Sequence, residues 1–226
     1  MKIGLIVAIE MDSVFAHYPV CTRLDCPPGF EVYRIEKDGN EIYAIHTGMG
    51  LIAAAAGVQY LVTKYGVGLI VNFGVVGGLT ADMKKHKVCV LGRVVHYRYD
   101  CSEFMPLRIG QVAEHTSIFL PTDEALVQKA LRVFPELTVS TCCSGDRFVA
   151  QEQDKKKIHE EFEGDVCDME SAGIVLTCEA NGVPCLLLKA VSDGLADGAK
   201  GFYAELQDAA LRCLETTDAI LAGLAC

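Results

Sequence analysis

Residues 165–193 read DVCDMESAGIVLTCEANGVPCLLLKAVSD, which combines two apolar runs with a helical segment between them. The apolar runs cover 165–169 and 184–192, and the helical segment covers 170–181. Near-continuous apolar runs are typical of strands that are buried on both faces of a sheet. A strand, a helix and a second strand in this order predict a crossover unit with parallel strands.

The same alternation extends through the rest of the chain. Further strands are predicted at 2–9, 30–36, 40–47, 68–73, 87–97 and 137–143, and further helices at 48–64, 123–133, 152–162 and 201–224. The turn signal Asp38-Gly39-Asn40 joins two of these strands into a hairpin. The elements predict one α/β domain over residues 1–226, a three-layer αβα sandwich with a central mixed, largely parallel sheet.

Composition favours one domain and argues against nucleic-acid binding. The chain has 226 residues, of which 51% are hydrophobic, and no Pro/Gly-rich linker divides it. Its net charge of −10 is unsuited to binding nucleic acid, which needs a basic surface. The basic cluster Lys155-Lys156-Lys157 stands among acidic residues and is interpreted as a solvated helix face.

The cysteines and the N-terminal segment favour a cytosolic protein. Eleven cysteines are scattered without a CxxC pair, so we expect no disulfide framework, no metal site and no cofactor. The first apolar run is short, contains one lysine and meets Glu10 and Asp12, which indicates a buried strand and not a secretion signal. No stretch is long and apolar enough to span a bilayer. Most cysteines are therefore expected to be small buried residues in a reducing compartment.

Polar or glycine-rich residues follow four of the predicted strands. They are Asp12, the glycine loop 74–78, Glu170 and Asp193. In sheets of this class, ligands bind beyond the carboxyl ends of the strands. Three acids and a glycine loop at such ends therefore predict a binding pocket.

Each of these features also has an ordinary structural explanation. Gly74, Gly77 and Gly78 allow a ligand to approach the backbone, but they also suit a tight turn. They match neither a dinucleotide-binding fingerprint nor a phosphate-binding P-loop. An acid such as Glu170 at the start of a helix is favoured by the helix dipole, and Asp193 suits an N-cap. The combination, and not any single residue, indicates a site.

Several segments together resemble one family. They are 1–6, 48–50, 72–79, 144–146, 168–172 and 191–193. Their order and spacing are similar to those of the nucleoside phosphorylase/nucleosidase superfamily over essentially the whole chain. The most similar branch is that of the 5′-methylthioadenosine/S-adenosylhomocysteine nucleosidases. The resemblance implies hydrolysis of the N-glycosidic bond of a purine nucleoside, with release of adenine from these thio-nucleosides.

The resemblance assigns roles to residues on these segments. The acid at Asp193 hydrogen-bonds the purine and helps to protonate the departing base, which requires a raised pKa. Glu170 binds the ribose hydroxyls, and as an anion it stabilises the positive charge that develops on the sugar. Met169 packs against the sugar, while Phe148 and Val149 hold the base.

The resemblance also assigns the residues around the nucleophile. Asp12 is the base that activates water, where the family's nucleosidases carry Glu, and Glu10 is a second candidate. Val75 stands where Ser is usual and Lys189 where Arg is usual, so the water site is altered as a group. Hexameric phosphorylases of the family carry Arg and Ser at Asn72 and Val75, so water is favoured over phosphate as the nucleophile.

The family's nucleosidases are homodimers in which a neighbour's loop closes the 5′ end of the pocket. Residues 99–105 match that loop, and Phe104 is the candidate contact to an apolar 5′ substituent, or else a core aromatic of its own subunit. Three functions stay open. They are a nucleosidase for 5′-thio nucleosides, a phosphorylase or a nucleosidase for another nucleoside, and a non-catalytic nucleoside-binding protein, which the altered Val75 and Lys189 favour.

Overall fold

A computed structural model describes residues 1–85 and 87–224 of the chain. The strands are β1 (Lys2–Val7), β2 (Thr22–Leu24), β3 (Glu31–Lys37), β4 (Asn40–His46), β5 (Leu69–Gly78), β6 (Val88–Val95), β7 (Leu120–Pro121), β8 (Thr138–Ser144), β9 (Val166–Asp168) and β10 (Cys185–Asp193). The helices are α1 (Met11–His17), α2 (Leu51–Tyr65), α3 (Glu124–Val133), α4 (Glu152–Phe162), α5 (Ser171–Asn181) and α6 (Gly198–Leu224). The sequence pattern predicts all of these except the short elements α1, β2 and β7.

The strands form one mixed sheet that closes on itself. The strand order is β10-β6-β8-β9-β5-β1-β4-β3-β2, and β10 also pairs with β5, so that β5, β9, β8, β6 and β10 form a ring. The parallel pairs are β1–β4, β1–β5, β5–β10, β6–β8 and β8–β9. The pairs β2–β3, β3–β4, β5–β9, β6–β7 and β6–β10 are antiparallel. The α/β class and the mixed sheet are confirmed. The sheet is not largely parallel, because half of these pairs are antiparallel, and it closes into a barrel where the sequence predicts the central layer of a simple αβα sandwich.

A long central strand and irregular pairing explain the closure. β5 pairs with β1 over residues 69–72 and with β10 over residues 70–77, and its last two residues, Gly77 and Gly78, pair with β9. The pairing register of β10 shifts between Val191 and Asp193, and β6 has a similar shift. Such irregularities bend a strand and increase its twist. The strand and separate glycine loop predicted from 68–73 onward are therefore one continuous strand.

Helices cover the sheet on both sides, as the sequence predicts. Helices α2 and α5 pack on one side, where Val58 and Ile174 belong to a buried core. Helices α1, α3 and α6 pack on the other side, where Val14 and Leu214 belong to a second core. Each core is a continuous set of buried apolar side chains, so the hydrophobic effect holds both helical layers against the same sheet.

The structure also bears on the expectations drawn from composition. Of the ten cysteines in the part of the chain that the structure describes, seven are buried. Within residues 1–85 and 87–224, no helix has the length and apolar character needed to cross a membrane.

Candidate active site

The ends of several strands surround one pocket. β1, β5 and β10 are parallel neighbours, so their carboxyl ends meet at one edge of the sheet. β9 runs antiparallel to β5 and pairs with it only at Gly77 and Gly78, near the carboxyl end of β5. The carboxyl end of β9 therefore reaches the same edge of the sheet. The pocket encloses about 550 Å³, including its open mouth. Its walls are formed by Ala8, Ile9, Glu10, Met49, Val75, Val76, Gly77, Arg147, Phe148, Val149, Cys167, Asp168, Met169, Glu170, Asp193 and Phe202.

The structure brings most of the site residues expected from the sequence into this pocket. Those on its walls are Val75, Gly77, Phe148, Val149, Met169, Glu170 and Asp193. Gly74 and Lys189 lie behind the wall, where a Cβ atom on Gly74 would stand 3.0 Å from Glu10 Oε1 and 3.7 Å from Lys189 Nζ. Asp12 and Phe104 do not line the pocket.

Of the two acids after β1, Glu10 lines the pocket and Asp12, which the sequence analysis expected there, does not. β1 ends at Val7 and α1 begins at Met11, so Asp12 lies in the first turn of the helix, where it is exposed. Glu10 is 4% exposed and lines the pocket. Its carboxylate accepts hydrogen bonds from the backbone amides of Ile9, at 2.9 Å, and Val75, at 3.1 Å.

Glu170 lies on another wall and is held by two backbone amides. Oε1 accepts a hydrogen bond from Gly50 N at 3.0 Å, and Oε2 accepts one from Met169 N at 3.2 Å. Burial and the negative charge of Asp168 raise the pKa of Glu170 to about 7, although Lys189 and the Gly50 amide oppose the shift. The carboxyl group therefore changes its charge near neutral pH.

A buried ion pair lies behind Glu170. Lys189 Nζ is 2.9 Å from Asp168 Oδ2, and the two side chains are 2% and 1% exposed. Burial alone would raise the pKa of Asp168, but Lys189 and the hydroxyl group of Ser171 outweigh it and hold this pKa below its usual value. Burial alone would lower the pKa of Lys189, but Asp168 and Glu170 raise it. Lys189 is thus a fixed cation behind the pocket wall.

Asp193 forms a second buried ion pair, which the sequence analysis did not predict. Asp193 Oδ2 lies 2.6 Å from Lys155 Nζ, and Oδ1 accepts a hydrogen bond from Ser192 Oγ at 3.0 Å. Burial raises the pKa of Asp193, while the hydrogen bond and charge of Lys155 oppose this rise. Lys155 is fully buried, so the interpretation of residues 155–157 as a solvated face is wrong for this residue.

A sequence signal for Lys155 does exist. Lys155, Ile158 and Phe162 are the buried residues of α4, and their spacing of three and four residues places them on one helix face. A lysine on the apolar face of a helix is expected to have a buried acidic partner. Lys156 lies next to it but is exposed and pairs with Glu152 on the helix surface.

Aromatic and apolar side chains complete the pocket next to Asp193. Phe148 is 45% exposed, whereas Val149 is buried. Phe202, which was not predicted, packs edge-on against Phe148 with 5.2 Å between the ring centroids. Arg147 at this wall pairs with the carboxylate of Asp154. A flat, largely apolar ligand with polar edges fits such a wall, because aromatic rings stack on π-systems.

Sequence comparison identifies the family to which this chain belongs. The sequence profile described as Phosphorylase superfamily matches residues 3–225. The chain belongs to this superfamily. An aminodeoxyfutalosine nucleosidase of Campylobacter jejuni is 29% identical over 173 residues, which are 74% of this chain and 74% of that protein. A 5′-methylthioadenosine/S-adenosylhomocysteine nucleosidase of Shewanella piezotolerans is 29% identical over 205 residues, which are 87% of this chain and 88% of that protein.

Solved structures of this superfamily share the fold. The futalosine hydrolase of Helicobacter pylori superimposes with a TM-score of 0.91 and 25% identity, covering 98% of this chain and 97% of that chain. A 5′-methylthioadenosine/S-adenosylhomocysteine nucleosidase of the same organism gives a TM-score of 0.92 and 24% identity, with 98% and 97% coverage. The predictions of the family and of the enzyme class, an N-glycosyl hydrolase, are confirmed. These relatives are named for different nucleoside substrates, so the comparison shows a nucleosidase and not one particular substrate.

Proposed function

We propose that this chain hydrolyses the N-glycosidic bond of purine nucleosides and that its substrates are 5′-methylthioadenosine and S-adenosylhomocysteine. One observation carries the proposal, which is the meeting of Glu10, Glu170 and Asp193 on the walls of one buried pocket. Each acid comes from a different part of the chain, and each has a separate hydrogen-bonding environment. Three such acids can contact the sugar, the attacking water and the base, one acid for each.

The chemistry of the bond explains why acids are needed on these walls. As the bond between the sugar and the purine breaks, positive charge develops on the sugar and negative charge on the base. Ionised Glu170 beside the sugar stabilises the first charge, and a proton supplied at Asp193 neutralises the second. Of the two other acids on the walls, Asp168 is paired with Lys189, so we assign the proton of the attacking water to Glu10. Met169 packs against the sugar in this arrangement, and Phe148 and Val149 hold the base.

The neighbourhood of Glu10 favours water over phosphate as the nucleophile. The side chain of Asn72 is 1% exposed and donates hydrogen bonds to Ile6 O, at 2.9 Å, and Phe73 O, at 3.1 Å, so the two protons of its NH2 group are already used within the sheet and are not offered to an anion. The cations that adjoin the pocket are each paired with a carboxylate, and they are Lys155, Lys189 and Arg147. A phosphate ion would need such cations for charge-assisted hydrogen bonds.

Apolar side chains in the pocket favour an apolar 5′ substituent on the substrate. Ile9 and Met49 contribute apolar side chains to the pocket, which suits a thioether substituent. The aminodeoxyfutalosine nucleosidase relative makes that nucleoside the second candidate, since it also contains adenine on a sugar. The release of adenine is common to both candidates.

Chromatography of the released base tests the proposal. The purified chain is incubated with 5′-methylthioadenosine, S-adenosylhomocysteine, aminodeoxyfutalosine, adenosine and inosine, each with and without phosphate. We expect release of adenine from the two thio-nucleosides at a rate that does not depend on phosphate. Faster release from aminodeoxyfutalosine would make that nucleoside the substrate in place of the two thio-nucleosides. Formation of ribose 1-phosphate would establish a phosphorylase. Binding of the nucleosides without release of base from any of them would contradict the enzymatic proposal.

The pKa of Glu170 predicts an acid limit to activity near neutral pH. Because burial and Asp168 raise this pKa to about 7, the carboxyl group is protonated below pH 7 and loses the charge that stabilises the sugar. We expect kcat/KM to fall about tenfold per pH unit below this point. The measurement is the pH profile of kcat/KM for the chain and for Glu170→Gln, in which the limit should move to lower pH and the maximum should drop. A limit that is unchanged in the variant would assign it to another group.

We also propose that the chain forms a homodimer and that Phe104 of one subunit closes the pocket of the other. Phe104 is 76% exposed, which argues against a core position in its own subunit. Met49 at the pocket and Ile52 nearby are 61% and 83% exposed, so the mouth carries an apolar surface that association would cover. Sedimentation velocity should give twice the mass of one chain, and Phe104→Asp should weaken the association. A monomer at micromolar concentration would contradict the proposal.

A further inference from the structure

Lys155 is a buried cation whose hydrogen bonds all point at one segment next to the pocket. It lies on α4, outside the strands that form the pocket, and its side chain is 0% exposed. Nζ donates to Asp193 Oδ2 at 2.6 Å, to Gly194 O at 2.8 Å and to Asp193 O at 3.4 Å. The three protons of the ammonium group therefore have three acceptors without any ligand.

Stability alone gives a weak reason for such a pair. Removing both charges from water costs several kcal/mol per ion, and replacing a buried pair by apolar side chains is often neutral or stabilising. The rest of this helix face, Ile158 and Phe162, is apolar and packs in a hydrophobic core. Leucine or methionine at position 155 would continue that core. The lysine is therefore better explained by what it does to Asp193.

The requirement for a proton donor supplies that explanation. An ionised Asp193 has no proton to give, and it would also repel the negative charge that develops on the departing purine. Resting on the proposed function, we propose that Lys155 is a positioning residue that stores the proton which Asp193 passes to the departing base. The donor is then the Lys155–Asp193 pair, and Asp193 is the member that touches the substrate.

The proton balance of this reaction closes. The bond between the sugar C1′ and the purine nitrogen breaks, and its electron pair stays on the purine. Asp193 gives the purine a proton while Lys155 gives one to Asp193, so the carboxylate is restored and the lysine becomes a neutral amine. Water supplies hydroxide to C1′ and a proton to Glu10. After the base has left, solvent in the open pocket takes the proton from Glu10 and returns one through Asp193 to Lys155, which regenerates the starting state.

Other charged and titratable groups face this pair from β9 and from the loop between β10 and α6. Cys167 on β9 lies beside it, and burial raises the pKa of this thiol to about 12, so it stays neutral in the relevant pH range. Asp197 accepts a hydrogen bond from Gly194 N at 2.8 Å, and its negative charge favours protonation of Asp193. Asp168 at the end of β9 is neutralised by its own partner, Lys189. Among the charged groups around Asp193 that are named here, Lys155 is the one that donates a hydrogen bond to its carboxylate.

The pH dependence of base release tests the proposal. In Lys155→Met, a buried Asp193 becomes the whole donor, and this carboxyl group loses its proton as the pH rises. The original chain keeps the donor pair, so the ratio of kcat/KM between variant and original chain should fall by at least about tenfold between pH 6 and pH 9.5. Lys156→Met on the same helix is the matched control and should keep a ratio near one at every pH.

Two results would overturn the proposal. One is a Lys155→Met ratio that does not change with pH, since a merely structural lysine lowers activity uniformly. The other comes from infrared difference spectra between the original chain and Asp193→Asn at pH 7, where we expect the bands of an ionised carboxylate and where a protonated acid would contradict storage on Lys155. The spectra need neither turnover nor a folded Lys155 variant. If the original chain releases no base, the proposed function fails, and the spectra still decide the location of the proton.

Discussion

Replacing Glu10 by Gln should lower kcat/KM for base release by about 10²–10⁴-fold, whereas Asp12→Asn should leave it within about twofold. Glu10 is buried on the pocket wall, and its carboxylate accepts a hydrogen bond from Val75 N on β5. Asp12 is exposed in the first turn of α1 and has no position on that wall. The steady-state rates of the two variants and the original chain give the comparison.

The design separates the loss of a base from the loss of a hydrogen bond. Gln keeps the size of the side chain, and its carbonyl oxygen can still accept the hydrogen bond from Val75 N at 3.1 Å or from Ile9 N at 2.9 Å, but it cannot take a proton from water. Thermal unfolding of Glu10→Gln should therefore show a smaller change than its activity. Full activity of this variant together with a large loss in Asp12→Asn would return the role of base to Asp12.

The sequence pattern predicts Asp12 at the pocket, whereas the structure has Glu10 there, because the pattern does not determine how the chain turns after a strand. Both Glu10 and Asp12 follow an apolar run, and the pattern places the end of the strand only to within about two residues. The strand ends at Val7 and a short helix begins at Met11, so the direction of each side chain depends on a turn that has no hydrophobic periodicity. Glu170 is different, because a clear strand and a long helix fix its position from both sides.

The fold follows the same rule. Apolar runs and helical periods depend on local burial, so they predict the long elements and the helices on both sides of the sheet. Closure of the sheet depends on pairing between β5 and both β9 and β10, which are distant in sequence, and on the register shift near Asp193. Period-two patterns contain no record of such shifts. Lys155 was missed for another reason, since its neighbours Lys156 and Lys157 are exposed and set the apparent character of the segment.

The second large effect is expected for Asp193→Asn, which should lower kcat/KM by roughly 10³-fold and also destabilise the fold. Asparagine can neither hold nor relay a proton, so the departing base leaves as an anion. The variant also leaves Lys155 buried without a counter-charge, which costs about 3–5 kcal/mol. For a chain of this size that should lower Tm by roughly 10 °C. The measurements are base release at a temperature where the variant is folded, and thermal unfolding. Asp208→Asn, on an exposed position of α6, is the matched control.

The double variant Lys155→Met/Asp193→Asn separates the two losses. Methionine removes the unpaired charge and fits the apolar face that Ile158 and Phe162 form, so most of the lost stability should return. Activity should stay at the level of Asp193→Asn, because no donor is restored. Stability and catalysis then change independently, which a purely structural pair would not allow. Recovery of both together would mean that Asp193 serves the fold and that the proton reaches the purine from elsewhere.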